Sequence, residues 1–136
     1  MIGRDEIQSL IPHQGAMCLW DEVVEWDASH IRLRARNHRD PLHPLRSGDR
    51  LHAVHLCEYG AQAMAVHGGL RAQQAGGVAR PGLLVALRDV RLHVMRIDDR
   101  ASSENTSSVV RLQTMIACSV RSCSARSSPA WSKNSA

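Results

Sequence analysis

At 136 residues the chain is long enough for one domain with a real hydrophobic core and too short for two domains of ordinary size. It is 43% hydrophobic with no Phe and a single Tyr, so the core must be built from Leu, Val, Ile, Ala and Met together with Trp20 and Trp26. The net charge of +4 sits mostly at the end: residues 1–100 hold 13 Arg against 12 Asp and Glu (+1), and residues 101–136 hold Arg111, Arg121, Arg126 and Lys133 against Glu104 (+3), with no basic stripe interleaved with aromatic residues to suggest nucleic-acid binding.

No apolar run approaches the roughly 18 residues of a membrane span, and no basic segment leads into an apolar one at the N-terminus, so nothing argues for insertion or secretion. Cys18, Cys57, Cys118 and Cys123 form no CxxC pair and stand among apolar neighbours, so they read as reduced thiols in a cytoplasmic protein.

In chain order, Arg4–Leu10 reads as a short helix ending before Pro12, and 11–15 as a turn. Met17–Trp26 reads as a strand, 27–29 as a turn, and His30–Arg36 as a second strand by strict alternation. In that strand Arg32, Arg34 and Arg36 make a solvated face, one that could also steer an acidic carrier protein. Residues 37–50 are polar and carry Pro41, Pro44 and Gly48, which predicts a loop. A long helix is expected over 51–74, with Gly48-Asp49 supplying its N-cap and Gly76-Gly77 closing it. A strand is expected over 83–95. Two strands, a long apolar helix and further strands predict an α+β fold in which a sheet curls around the helix.

That helix is apolar on nearly every face, with Leu51, Val54, Leu56, Cys57, Ala61, Ala63, Met64, Ala65 and Val66, so it is expected to be wrapped by other structure. Glu58 stands in its midst. A carboxylate in such surroundings is paired, protonated or chemically active, because an isolated buried charge is rarely tolerated. Gln62, one turn later, is placed to hold that carboxylate or to line a substrate tunnel, or it is simply a helix surface residue.

Three stretches together resemble a known family. Ile11-Pro-His-Gln-Gly-Ala-Met-Cys-Leu-Trp-Asp21-Glu-Val-Val-Glu resembles the N-terminal signature of hot-dog-fold 3-hydroxyacyl-[acyl-carrier-protein] dehydratases, Cys57-Glu58-Tyr-Gly-Ala-Gln62-Ala-Met their central helix, and Pro81-Gly-Leu-Leu-Val-Ala-Leu-Arg-Asp-Val the strand that follows. The likeness extends over about residues 5–99 and is greatest to the divergent dehydratase-like proteins of aryl-polyene biosynthesis.

The resemblance implies a hot-dog dimer with an antiparallel sheet around the central helices, no cofactor, and acyl carrier protein as the partner bearing the thioester. It implies that a His on the loop before the helix removes the α-proton. The helix carboxylate would then help the 3-hydroxyl leave as water, the two groups usually meeting from opposite subunits. A backbone amide at the helix N-terminus, where the helix dipole favours negative charge, would polarise the thioester oxygen. Glu58 falls on the carboxylate position. His43, fifteen residues earlier in His43-Pro-Leu-Arg, is the candidate base, although the family motif is His-Phe-Pro-Gly. Ser47-Gly48-Asp49 replaces the usual Pro-Gly, which makes Gly48 the candidate for the substrate-binding amide and Gln62 a second substrate-binding candidate. Loss of the usual motif leaves two alternatives open. One is a non-catalytic hot-dog subunit paired with an active dehydratase, and the other is a hot-dog acyl thioesterase.

The remaining histidines have plainer readings. His52, His55 and Glu58 stand at i, i+3 and i+6, which puts the outer two roughly 240° apart around a helix and argues against a shared metal ion. His13 reads as a structural residue of the N-terminal turn, and His67 as a cap near the helix end.

The composition changes near residue 100. Serine occurs three times in residues 1–100 and eleven times in 101–136, where only 110–121 alternate like a strand. The core is therefore assigned to 1–100, and 101–136 to a C-terminal strand and a Ser-rich tail produced by a change of reading frame. Resequencing and intact-mass measurement on protein from the native locus are expected to show that change. A Ser-rich tail that proves native and protease-resistant would overturn it.

Overall fold

The structure is a computed structural model that describes residues 1–79 and 90–99. The expected strand over 83–95 therefore lies mostly outside the described residues, as does the whole of 101–136. Three antiparallel strands, β1 (Ile2–Gly3), β2 (Glu22–Trp26) and β3 (Ile31–Arg34), form one sheet in the order β1-β2-β3. Among the described residues two α-helices, α1 (Arg4–Leu10) and α2 (Leu56–Gln74), pack with it, and Gly15–Met17, Asn37–Arg39 and Ala53–His55 form short 3-10 turns. This is an α+β arrangement of an antiparallel sheet and one long helix, compatible with a hot-dog fold.

α1 spans the residues expected of it. The turn between β2 and β3 is built by Asp27, whose Oδ1 accepts bonds from Ser29 N–H (2.7 Å), Ser29 Oγ–H (2.9 Å) and His30 N–H (2.8 Å). Those donors, the Ser29 amide foremost, hold the Asp27 carboxyl down to about 2. Across the hairpin Arg32 pairs with Glu25 (3.0 Å), and both Arg34 and Arg36 pair with Glu22. The arginine face is therefore matched by carboxylates rather than being a bare cationic strip.

The expected strand Met17–Trp26 forms only over its second half, and hydrogen-bond accounting explains why. Cys18, Leu19 and Trp20 are all buried in succession, so the segment cannot alternate between core and solvent. Its backbone is satisfied by side chains instead. Arg4 donates to the carbonyls of Gly15 (3.0 Å), Cys18 (2.6 Å) and Trp20 (3.5 Å), and to Asp21 Oδ1 (3.1 Å). Asn37 donates to Leu19 O (3.1 Å), and Gln62 serves Met17 O and Leu19 N. Main-chain groups that a strand neighbour would have paired find partners on α1, α2 and the loop after β3.

α2 begins at Leu56, five residues later than expected, with His55 as its N-cap. Leu51 and Ala53 pair with the chain arriving from the other end: Ala53 N–H donates to Met95 O (3.0 Å), Ile97 N–H to Leu51 O (3.0 Å), and His52 bridges Arg96. Leu51 and His52 are thereby held in this pairing, and Ala53–His55 form a short 3-10 turn before the α-helix starts. The described part of the expected third strand, 90–95, carries no strand of its own, and the pairing falls at Arg96.

One stripe of α2, formed by Tyr59, Ala63, Val66 and Leu70, enters the core against Ile7, Ile11, Leu19, Trp20, Val23 and Leu33. Cys57, Ala61, Met64, Ala65 and Gly68 lie half-buried or exposed on the other side, so within the described residues the helix is not wrapped on every face. The sequence reads as uniformly apolar because that outer face is small and uncharged. α1 approaches closely at Gly69, where a Cβ would stand 3.0 Å from Leu10 Cδ2.

Truncating Arg4 leaves the Cys18 carbonyl without its donor and the Gly15 carbonyl with the Cys18 amide alone. Arg4→Ala is expected to cost about 2 kcal/mol, discounted for the partial exposure of the side chain, read as a lower urea midpoint with an unchanged denaturant slope.

Candidate active site

Glu58 lies in the first turn of α2, where the helix dipole favours a negative charge. Its side chain is 35% exposed, so an approaching molecule can reach it. Oε1 accepts a bond from Gln62 Nε2 (3.0 Å) and stands 3.3 Å from His13 Nε2. Among the described residues no hydrogen bond reaches Oε2. The carboxylate is thus anchored through one oxygen.

Gln62 is 0% exposed and fully engaged. Leu19 N–H donates to its Oε1 (3.0 Å), and its Nε2 donates to Met17 O (2.9 Å) as well as to Glu58. Because an amide N–H and a carbonyl oxygen are both fixed partners, the side-chain amide has one satisfactory orientation. Gln62 therefore holds the carboxylate from behind, with both amide hydrogens committed to protein partners.

His43 is 4% exposed and sits with Tyr59 rather than with Glu58. Leu45 N–H donates to Nδ1 (3.2 Å), which puts the imidazole proton on Nε2, and Nε2–H donates to Tyr59 Oη (2.9 Å). The phenol passes its own hydrogen to Asn37 Oδ1 (2.8 Å), and Asn37 Nδ2 donates to Leu19 O. The two rings stack with centroids 6.1 Å apart, and Trp20 meets Tyr59 edge-on while donating Nε1–H to its carbonyl (2.9 Å). Burial, aided by the Arg46 charge, pushes the His43 imidazole below its usual value, and burial pushes the Tyr59 phenol up. Both ring nitrogens of His43 are in use, so it has no free lone pair with which to take a substrate proton in this arrangement.

Gly48, the candidate for the substrate-binding amide, has φ +60° in a tight turn closed by reciprocal Ser47 and Arg50 backbone bonds (2.9 and 3.1 Å). The amides at the start of α2 belong instead to Leu56, Cys57 and Glu58. The loop carrying Gly48 is tied down by Asp98, a carboxylate 4% exposed that receives Arg96 through both oxygens, Arg46 (3.1 Å) and Leu51 N–H (3.2 Å). The bidentate Arg96 bond, more than any other contact, holds the Asp98 carboxyl far below the usual carboxylate range.

His67 lies inside α2 and not at its end. Its Nε2–H donates to Asp27 O (2.7 Å), and its ring meets Trp26, so it ties the helix to the hairpin tip instead of capping the helix. His13, read from sequence as structural, is the histidine that the fold brings to Glu58. The pair is 45 residues apart, and no periodicity in the sequence signals it.

Residues 5–125 match the ApeP-like family, described as ApeP dehydratase. The chain belongs to that family. The match runs past Asp99, where the resemblance read from the sequence stops, and so takes in much of the segment assigned to a shifted frame. No curated protein and no solved structure matches the chain. Among the described residues no helix is long and apolar enough to cross a membrane.

His43 makes stability depend on pH. The unfolded chain accepts its proton at about 6.5 and the folded chain only at lower pH, so the unfolded state binds more protons on acidification and stability falls below that value. The loss of urea midpoint between about pH 7.5 and about pH 5 is expected to be larger in the wild type than in His43→Gln. Equal losses would count against the buried neutral imidazole.

Proposed function

We propose that this ApeP-like protein removes water from 3-hydroxyacyl thioesters carried on acyl carrier protein, giving the 2-enoyl thioester, and that it does so as a hot-dog dimer. The observation that carries this reading is the Glu58 carboxylate, held at Oε1 by Gln62 on a side chain that is 35% exposed, with no hydrogen bond to Oε2 from the described residues. Elimination breaks the C2–H and C3–O bonds, makes the C2=C3 bond and sends the 3-hydroxyl out as water. Glu58 Oε2 takes the C2 proton and delivers it to the departing 3-hydroxyl, so that proton leaves in the water and the carboxylate is regenerated, as general acid-base catalysis by one positioned group allows. Family membership supports the reaction class. The acyl carrier protein and the dimer rest on the wider likeness to hot-dog dehydratases.

One observation favours a second reading. His43, which the likeness would make the base, is locked to Tyr59 and Leu45, as befits a non-catalytic subunit that stabilises an active hot-dog partner.

Incubation with a 3-hydroxyacyl-carrier-protein substrate is expected to give a mass loss of one water. Glu58→Gln is expected to slow turnover by on the order of a hundredfold or more, because the amide keeps the shape and the Gln62 contact but cannot carry the proton. Dehydration only on adding a second hot-dog protein, indifferent to Glu58→Gln, would establish the non-catalytic reading.

A further inference from the structure

The expected base, His43, is occupied, yet Glu58 does not stand without an imidazole. His13 reaches it from the turn after α1, with Nε2 3.3 Å from the Oε1 that Gln62 also holds. We propose that His13 is the positioning residue of the Glu58 carboxylate, so that the His–carboxylate pair of this site is assembled within a single chain. This rests on the dehydratase reading for its chemistry but on geometry for its existence.

The turn presenting His13 is held at both ends. Ile11 is buried in the core, and Gln14 donates through Nε2 to the carbonyls of Gln8 (2.8 Å) and Ile11 (3.2 Å), closing the end of α1. Gly15 turns the chain at φ +55° and gives its carbonyl to Arg4. Two residues on, the Met17 carbonyl is bound by Gln62, so the amide that grips Glu58 also fixes the segment emerging from the His13 turn. The side chains of His13 and Glu58 are exposed to nearly the same degree, 34% and 35%.

The separation of 3.3 Å is long for a formed N–H···O bond. Catalytic contacts are often long before substrate binds and tighten afterwards. With an ionised carboxylate oxygen as acceptor, His13 must bring its proton on Nε2. Oε1 then receives two donors, which fixes the carboxylate, while Oε2 takes no hydrogen bond from the described residues. His13 itself touches no reacting atom and acts through Glu58.

Two readouts test this. Nitrogen NMR of the His13 imidazole in alkaline solution is expected to show more proton on Nε2 than in Glu58→Ala. Equal populations in the two proteins would overturn the proposal whatever the activity, and an excess that disappears on Glu58→Ala supports the pair even if the chosen thioester is not turned over. In the dehydration assay His13→Ala is expected to lower kcat by on the order of a hundredfold with KM unchanged, and to cost nothing further in a Glu58→Gln background. An undiminished kcat in His13→Ala, with Glu58→Gln inactive, would overturn the role of His13 and leave the dehydratase reading intact.

Discussion

The buried amide of Gln62 is the interaction on which the rest of this structure depends. It stands on α2, accepts from Leu19 N–H, and donates to Met17 O and to Glu58. A buried amide with every partner in place is expensive to disturb, because removing it would leave a main-chain donor and acceptor unsatisfied in the core. The same three bonds dock the 17–21 segment onto α2 and orient the carboxylate. Fold and site therefore share a single fastening, and the site cannot be loosened without undoing the packing behind it.

Two other polar groups extend that arrangement. Arg4 binds the 15–21 segment from the α1 side, and Asn37 binds it from the loop after β3 while receiving the Tyr59 hydroxyl. A stretch without ladder partners is held in place by three side chains from three elements. The Tyr59–His43 pair belongs to this framework. It fills the space beneath the start of α2, and its neutral imidazole serves as a satisfied core group with both nitrogens in use. Asp98, gripped by Arg96 and Arg46, does for the loop before α2 what Arg4 does for the loop before β2.

Glu58 is left in a simple electrostatic setting. The helix start favours its charge, Gln62 and His13 converge on one oxygen, and the other oxygen remains free among the described residues. A carboxylate held at one oxygen, with no such bond at the other, can exchange a proton with a bound molecule without first breaking a protein contact. This is how a positioned acid-base group lowers the cost of reorganisation at the moment of reaction.

Local signals in the sequence were enough to determine α1, the Asp27 turn, the loop over 37–50, the existence of the long helix, and Glu58 as its one carboxylate. Proline and glycine placement, alternation and the apolar run express preferences that act over a few residues and are readable wherever they occur. Tertiary structure decided three further things. It shortened the first long strand, because Cys18, Leu19 and Trp20 are buried together and take their hydrogen bonds from distant side chains. It delayed the start of α2, because Leu51 and Ala53 are drawn into pairing with Met95 and Ile97. It also chose which histidine meets Glu58. His43 lies at the sequence distance expected of a base, but its two nitrogens are claimed by Leu45 and Tyr59, while His13, 45 residues from Glu58, is carried to it by a turn. Spacing along the chain limits which residues can meet, and the packing of α1, the turn and α2 selects the pair that does.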